Sequence, residues 1–433
     1  MVLFQVCVSI LGIGWYISLW VISLIGCLAA RKRYRLRPRS PTASLPKGSV
    51  EGVSILRPLK GLDVNLYENL ESTFIQEYAN FEIIFSVADP GDQAIGIVQS
   101  LMQRYPGVKS RLIVGERVVG VNPKVNNLVR SYEEATFDIL WVIDSNIIMD
   151  RGALARAVDA LTSTPAPRRI GLVHHVPYAV ASEQSLGARI EAAFLNTNHA
   201  KMYIAINTFA TESCVVGKSN LFRRSDVDIV DGSLKPLSST RPTNTPCGFP
   251  QFSRFLAEDN MIASALWHEL DLRHSLSCDV AKNIIGSLSV KDYILRRARW
   301  IRVRKHMVLA ATVAEPFTES LALALILTLS AGYMFGIPPW ACIMGHYIPW
   351  LWVDFDVLTS LAGQQLPRPE LVPFLTAWAL REMLAFPVYC YAIVGNNVQW
   401  RGATYKVLRD GEVQEIDQVD SSRPQYQPLR REI

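Results

Sequence analysis

Residues 139–146 read ILWVIDSN. Five apolar residues, three of them β-branched, followed at once by a carboxylate, describe a buried strand that delivers Asp144 at its carboxyl end. Three more runs share this character: Gly52–Arg57 (GVSILR), Phe81–Ala88 (FEIIFSVA) and Arg111–Val114 (RLIV). Helical patterns over Asn65–Gln76 and Ala94–Arg104 lie between them. Strands alternating with helices predict an α/β domain with a parallel sheet. In such a sheet ligands bind beyond the carboxyl ends of the strands. Two strands end there in an acid, at Asp89 and at Asp144.

Outward from this core the chain turns hydrophobic at both ends. Met1–Ala30 holds no charged residue, and about 20 apolar residues suffice to cross a bilayer. No basic residue precedes the run, which is also too long for a signal-peptide core, so it reads as a retained anchor. Arg31, Lys32, Arg33, Arg35, Arg37 and Arg39 follow directly. Positive residues favour the cytosolic side, which puts the middle of the chain in the cytosol. Towards the C-terminus, Phe317–Ile337, Trp340–Gly363 and Leu371–Val394 are candidate spans, with Trp340, Trp350, Trp352 and Trp378 in belt-like positions. Asp354, Asp356, Arg381 and Glu382 fall inside them. Charges at that depth face a bundle interior or sit near an interface. Three full crossings would put Arg401, Lys406 and Arg409 outside, so one segment is expected not to cross. Arg296–Val313, basic and then apolar, suits the headgroup layer.

The expected organisation is an anchor (1–30), a basic linker (31–49), a catalytic domain (50–300) with a Pro/Ser/Thr-rich insertion at Asp231–Pro250, an interfacial helix (301–316), membrane helices (317–395) and a polar tail (396–433). Seven cysteines form no CxxC pair, so neither a zinc site nor a disulfide framework is indicated. The net charge of +5 is carried beside hydrophobic runs, which points to a membrane surface rather than nucleic acid.

Candidate chemistry comes in short clusters. Asp89-Pro-Gly is turn chemistry, and equally a strand-end carboxylate able to bind a nucleoside. Asn122-Pro-Lys124-Val-Asn126-Asn127 places a lysine and two amides at a helix start, where they suit a base or a phosphate. Asp144-Ser-Asn146 is a candidate for a divalent cation, Mg²⁺ or Mn²⁺, since a bare carboxylate repels a diphosphate. Asn146 supplies no charge there, and a strand-end Asp also caps helices. Glu258-Asp259 is an acid pair that fits a helix N-terminus; burial would raise its pKa and make a better general base. Arg296 and Arg299 share a helical face with forks suited to a diphosphate, and Trp300 adds a flat apolar surface. His174, His175 and His199 are isolated; His199 lies in a stretch able to line an acceptor site.

In order, Asp89, Asp144, Asp259 and Arg296-x-x-Arg299-Trp300 resemble the D, D, D, (Q/R)xxRW series of processive and lipid-directed glycosyltransferases of the GT-A fold. Arginine at the first position of the last motif resembles the ceramide glucosyltransferases. So do NPKVNNL from Asn122, GLVH from Gly171, CVVGKS from Cys214 and WRG from Trp400. The resemblance covers nearly the whole chain, the 231–250 insertion excepted. It implies a GT-A-type mixed, mainly parallel sheet flanked by helices, with an N-terminal transmembrane helix and a C-terminal transmembrane or interfacial helical region. It also implies inverting transfer of glucose from UDP-glucose to the primary hydroxyl of ceramide. Asp89 would bind uridine and Asp144 the metal and diphosphate. Asp259 would be the base, Arg296 and Arg299 would stabilise leaving UDP, and Trp300 would help form the acceptor site. The expected location is a Golgi or endoplasmic reticulum membrane, with the catalytic domain cytosolic. A polyprenyl-phosphate sugar transferase is the enzyme alternative; an inactive membrane scaffold is the other. A polysaccharide synthase would carry Gln at position 296 and more spans.

Overall fold

The computed structural model describes residues 2–163, 168–237, 245–400, 403–408 and 411–417. They form two compact units: Met1–Arg37 with Tyr178–Phe209 and Ile285–Asn396, and Pro38–Pro177 with Ala210–Ile284 and Asn397–Ile433.

The second unit is built on an eight-stranded sheet. Its strands are β1 (Val53–Leu59), β2 (Phe81–Val87), β3 (Ser110–Val114), β4 (Ile139–Ile143), β5 (Ile147–Ile148), β6 (Ile170–Ala181), β7 (Ser219–Arg223) and β8 (Arg273–Ile285). They lie in the order β3-β2-β1-β4-β7-β6-β8-β5. β1 runs parallel to both β2 and β4, and β2 parallel to β3. Strands covered on both faces read as continuous apolar runs rather than alternating ones; all seven residues of β1 are buried. This parallel half is the one expected from sequence, and its core packs Ile55, Leu70, Phe74, Phe85 and Trp141. Because β2 and β4 flank β1 in parallel, Asp89 and Asp144 both follow the same edge of the sheet.

The other half is antiparallel. β4 pairs with β7 and β7 with β6. His175, in β6, is buried and contributes to this junction: Ser219 Oγ lies 2.9 Å from His175 Nδ1 and accepts Trp141 Nε1–H at 2.9 Å. Desolvation lowers the His175 pKa, which keeps the ring neutral. Part of the expected polar tail forms a second sheet, β9 (Asn397–Trp400), β10 (Ala403–Val407) and β11 (Val413–Asp417). It is fastened to this unit by a Phe255–Glu412 bridge and by an Arg254–Glu412 ion pair at 2.8 Å. Arg401, Arg409 and residues 418–433 lie outside the described residues, as do 238–244 of the insertion.

The first unit is helical. Two of its helices, Val2–Tyr34 and Arg368–Val394, are long and apolar enough to cross a membrane. Leu309–Phe317 and Ser320–Phe335 pass the same test only as a pair bent by 60°. The charges expected at bilayer depth all turn inward. Asp354 accepts from Lys201 Nζ and Trp378 Nε1, each at 2.8 Å, with both charged side chains fully buried. Asp356 takes Arg31 and Arg35, each at 2.5 Å, so two of the juxtamembrane arginines are neutralised within the bundle. Arg381 is held by Glu319 at 2.7 Å and Glu382 at 2.6 Å. Such burial is tolerable only when the charges are paired. Trp350 and Trp378 are likewise interior, unlike the exposed Trp340 and Trp352; the first two therefore pack the bundle instead of forming a belt.

Candidate active site

Helix Pro123–Glu134 is started by Asn122. Its side-chain oxygen accepts from Lys124 N at 2.8 Å and Val125 N at 3.4 Å, and Pro123 fills the first helical position. The other end of the same amide donates to Phe255 O at 2.7 Å and to Glu258 Oε2 at 2.8 Å. One buried residue thus ties the lysine-bearing helix to the segment carrying the acid pair. Asn126 closes the preceding loop through Gly120 O and the amides of Val119 and Gly120. Asn127 donates to Leu59 O and Ser86 O, each at 3.1 Å, bridging the ends of β1 and β2. In this arrangement both amides fix the position of Lys124.

Lys124 is where the acids converge. Its ammonium lies 2.9 Å from Asp144 Oδ1 and 2.9 Å from Glu258 Oε1. Lys218 meets the second oxygen of Asp144 at 3.0 Å. Burial alone would raise the Asp144 pKa, but the two lysines outweigh it and hold the carboxyl well below the usual range. Burial likewise opposes the charge on Lys124, and Asp144, Glu258 and Asp259 reverse this, so the lysine stays charged at any physiological pH.

Asp259 sits beside Glu258 in the first turn of helix Glu258–His268. Its Oδ1 accepts from Asn260 N at 2.7 Å. Desolvation, then the charge of Glu258, push its pKa up from 3.8 to about 7, against Lys124. The carboxyl presses on Gly217: a Cβ built there would stand 1.0 Å from Asp259 Oδ2. Only glycine leaves room for it. Gly217, Lys124, Glu258, Asp259 and Asn220 line one pocket, with Val142 and Leu172 among its apolar walls.

Asp89 is exposed beyond β2, its Oδ1 accepting from Gly91 N at 2.8 Å. Arg296, Arg299, Trp300 and His199 belong to the helical unit. Helix Val290–Met307 opens with a Ser289/Asp292 capping box. One turn on, Arg296 reaches buried Glu191 at 2.9 Å and lies 5.8 Å from the centre of the Trp300 ring. His199 ends a single π-turn between two helices and stacks on Tyr203 at 5.6 Å. Desolvation, with Arg297, Arg304 and Arg381 nearby, lowers its pKa to about 3, so the ring is neutral.

The donor set around Asp144 does not fit a divalent cation in this arrangement. Each Asp144 oxygen carries an ammonium, and the Asn146 oxygen faces Lys218 at 3.4 Å. No cluster of three or more His, Cys, Asp or Glu able to hold a metal occurs among the described residues. Lys218, Asn122 and Gly217 were not singled out from sequence as site residues. The Gly217-Lys218 pair ahead of an apolar run was visible, but its position opposite Asp144 depends on the β4–β7 register.

Asp144, Glu258 and Asp259 thus gather with Lys124 and Lys218 past the carboxyl ends of the parallel strands. The chain belongs to glycosyl transferase family 21, whose profile matches residues 18–413. It is 34% identical to a ceramide glucosyltransferase of Komagataella phaffii, over 94% of this chain and 92% of that one. It is 30% identical to a ceramide glucosyltransferase of Candida albicans, over 96% of this chain and 99% of that one. Among solved structures, a Pyrobaculum calidifontis mannosyltransferase in complex with GDP-Man and Mn²⁺ is similar over 87% of this chain and 99% of that one, at 16% identity and a TM-score of 0.44.

Proposed function

We propose that this glycosyltransferase moves glucose from UDP-glucose to the primary hydroxyl of ceramide, with inversion, at the cytosolic face of a Golgi or endoplasmic reticulum membrane. The observation that carries the reading is Asp259: a carboxyl pushed up to about 7 beside a lysine that also grips Asp144. A single displacement needs one base at the acceptor and positive charge at the leaving group. Asp259 takes the hydroxyl proton as the acceptor oxygen bonds to the anomeric carbon. The bond to the diphosphate breaks, and its electron pair stays on UDP. Lys124 draws the diphosphate to the Asp144 edge, held in place by Asn126 and Asn127. Asp89 is assigned to uridine, Arg296 and Arg299 to the leaving UDP, and Trp300 with neutral His199 to the acceptor.

The ceramide assignment is supported by the similarity to ceramide glucosyltransferases over more than nine-tenths of the chain. It also fits a sugar donor dissolved in the cytosol and an acceptor dissolved in the bilayer. The test is a donor and acceptor panel on membranes containing the full chain: UDP-glucose against UDP-galactose, and ceramide against dolichyl phosphate. Glucosylceramide is the expected product. Glucosylation of dolichyl phosphate without ceramide transfer would overturn the assignment.

A further inference from the structure

Lys218 stands where a bridging cation would. Asp144 N donates to Lys218 O at 3.1 Å, continuing the antiparallel register in which Ile143 faces Ser219. The sheet itself therefore sets Lys218 opposite Asp144. From there its ammonium reaches Asp144 Oδ2 at 3.0 Å and Asn146 Oδ1 at 3.4 Å. An Asp-x-Asp pair would offer these two positions to a divalent ion as two charged ligands. Here the second position is an amide, further fixed by donating to Asn283 Oδ1 at 2.8 Å. Lys124 covers the remaining Asp144 oxygen at 2.9 Å. Behind the carboxylate, fully buried Arg57 donates to the carbonyls of Asn69, Ser145 and Ile147; burial lowers its pKa to about 9, with Asp144 and Asp63 opposing the fall. A divalent ion entering this set would find both Asp144 oxygens held by ammoniums and Glu258 held by Lys124.

We propose that the Lys218 ammonium takes the place of the divalent cation, so that Lys218 and Lys124 together hold the donor diphosphate without a resident metal. The inference rests on the reading of this site as binding a UDP-sugar. A lysine is a compact point charge that suits phosphate. Two ammoniums offset the charge that grows on UDP as the glycosidic bond to the diphosphate breaks, while the acceptor proton goes to Asp259. An ammonium also differs from a metal in a decisive respect: mutation removes it and chelation does not.

Two measurements on the purified full chain test this, and the first needs no catalysis. Mn²⁺ titration followed by electron paramagnetic resonance, with and without UDP, should show no protein-bound ion beyond that held by UDP itself. In the second, glucose transfer from UDP-glucose to ceramide should fall less than about twofold in excess EDTA. Lys218→Met should lower transfer at least tenfold in either condition, and Lys218→Arg should recover part of it, which a merely structural role would not produce. Uptake of one Mn²⁺ per chain by the wild type without UDP, or of more than one Mn²⁺ per bound UDP with it, overturns the proposal. So does transfer abolished by EDTA and restored by Mn²⁺, or a Lys218→Met protein with wild-type transfer. If the wild type transfers nothing under any condition, the glucosyltransfer reading falls, while the Mn²⁺ titration still decides the charge assignment.

Discussion

Replacing Asp259 by Asn should make the protein more stable and inactive at once. The carboxyl ionises at about 7 in the folded chain, against 3.8 ordinarily, chiefly through desolvation and then through Glu258. A raised carboxyl value means that folding favours the neutral acid. Stability is therefore lost as pH rises from 3.8 to about 7 and stays lost above that. At about 1.4 kcal/mol per pH unit, the penalty is about 2 kcal/mol at about pH 5.5 and about 4 kcal/mol at about pH 8.5. Asparagine has a similar shape and carries no such penalty. In a cooperative unit of this size the gain corresponds to a rise of several degrees in the unfolding midpoint. The assay is thermal unfolding of the detergent-solubilised full chain, followed by tryptophan fluorescence at both pH values, with glucosyl transfer measured alongside. The variant's advantage should roughly double between the two pH values, and transfer should be lost at both. A lower midpoint at the higher pH, or an advantage independent of pH, would refute the desolvation argument. Transfer at the wild-type rate would refute the role of base.

The same carboxyl predicts that kcat/KM falls tenfold per pH unit below about 7, as the base is protonated; a profile flat down to pH 5 would count against it. Gly217→Ala puts a methyl on top of the Asp259 carboxylate. Because a displacement of about 1 Å can cost on the order of 100-fold, kcat should drop by about that factor with circular dichroism unchanged. Lys201→Met removes the ammonium from buried Asp354 and leaves the Trp378 indole against it, and should cost about 3–5 kcal/mol, read as a lower unfolding midpoint. Lys201→Met with Asp354→Leu should recover most of the loss.

The parallel half of the sheet was legible because its signal is local. Ile139–Ile143 and helix Ala94–Arg104 have the expected bounds, and the runs at Gly52, Phe81 and Arg111 are strands within two residues. The antiparallel half was not read. β6 is interrupted by two histidines and a proline, IGLVHHVPYAVA, so neither a period of two nor a clean apolar run survives. His175 Nδ1 meets a partner far along the chain, Ser219. The same limit explains the membrane helices. Arg31 and Arg35 are locally a basic stop after an apolar run, and only the fold reveals that Asp356, more than 300 residues away, takes both.

Within the site, the proposal of Asp259 as base rests on charge balance as much as on motif. Two ammoniums, Lys124 and Lys218, face three carboxyls, Asp144, Glu258 and Asp259. Asp144 engages both lysines, and Glu258 engages Lys124 and the Asn122 amide. Asp259 is left with a backbone amide and a close neighbour of like charge. The third carboxyl is therefore the one driven towards neutrality, where proton transfer from a hydroxyl is most effective. Lys124 restrains that rise because it also acts on Asp259. A diphosphate drawn to Lys124 offsets the charge that Asp259 sees, which raises the basicity of the carboxylate only once a donor is present. On the proposed reading, donor binding and activation of the base are thus joined by one side chain, held in place by the Asn122 cap.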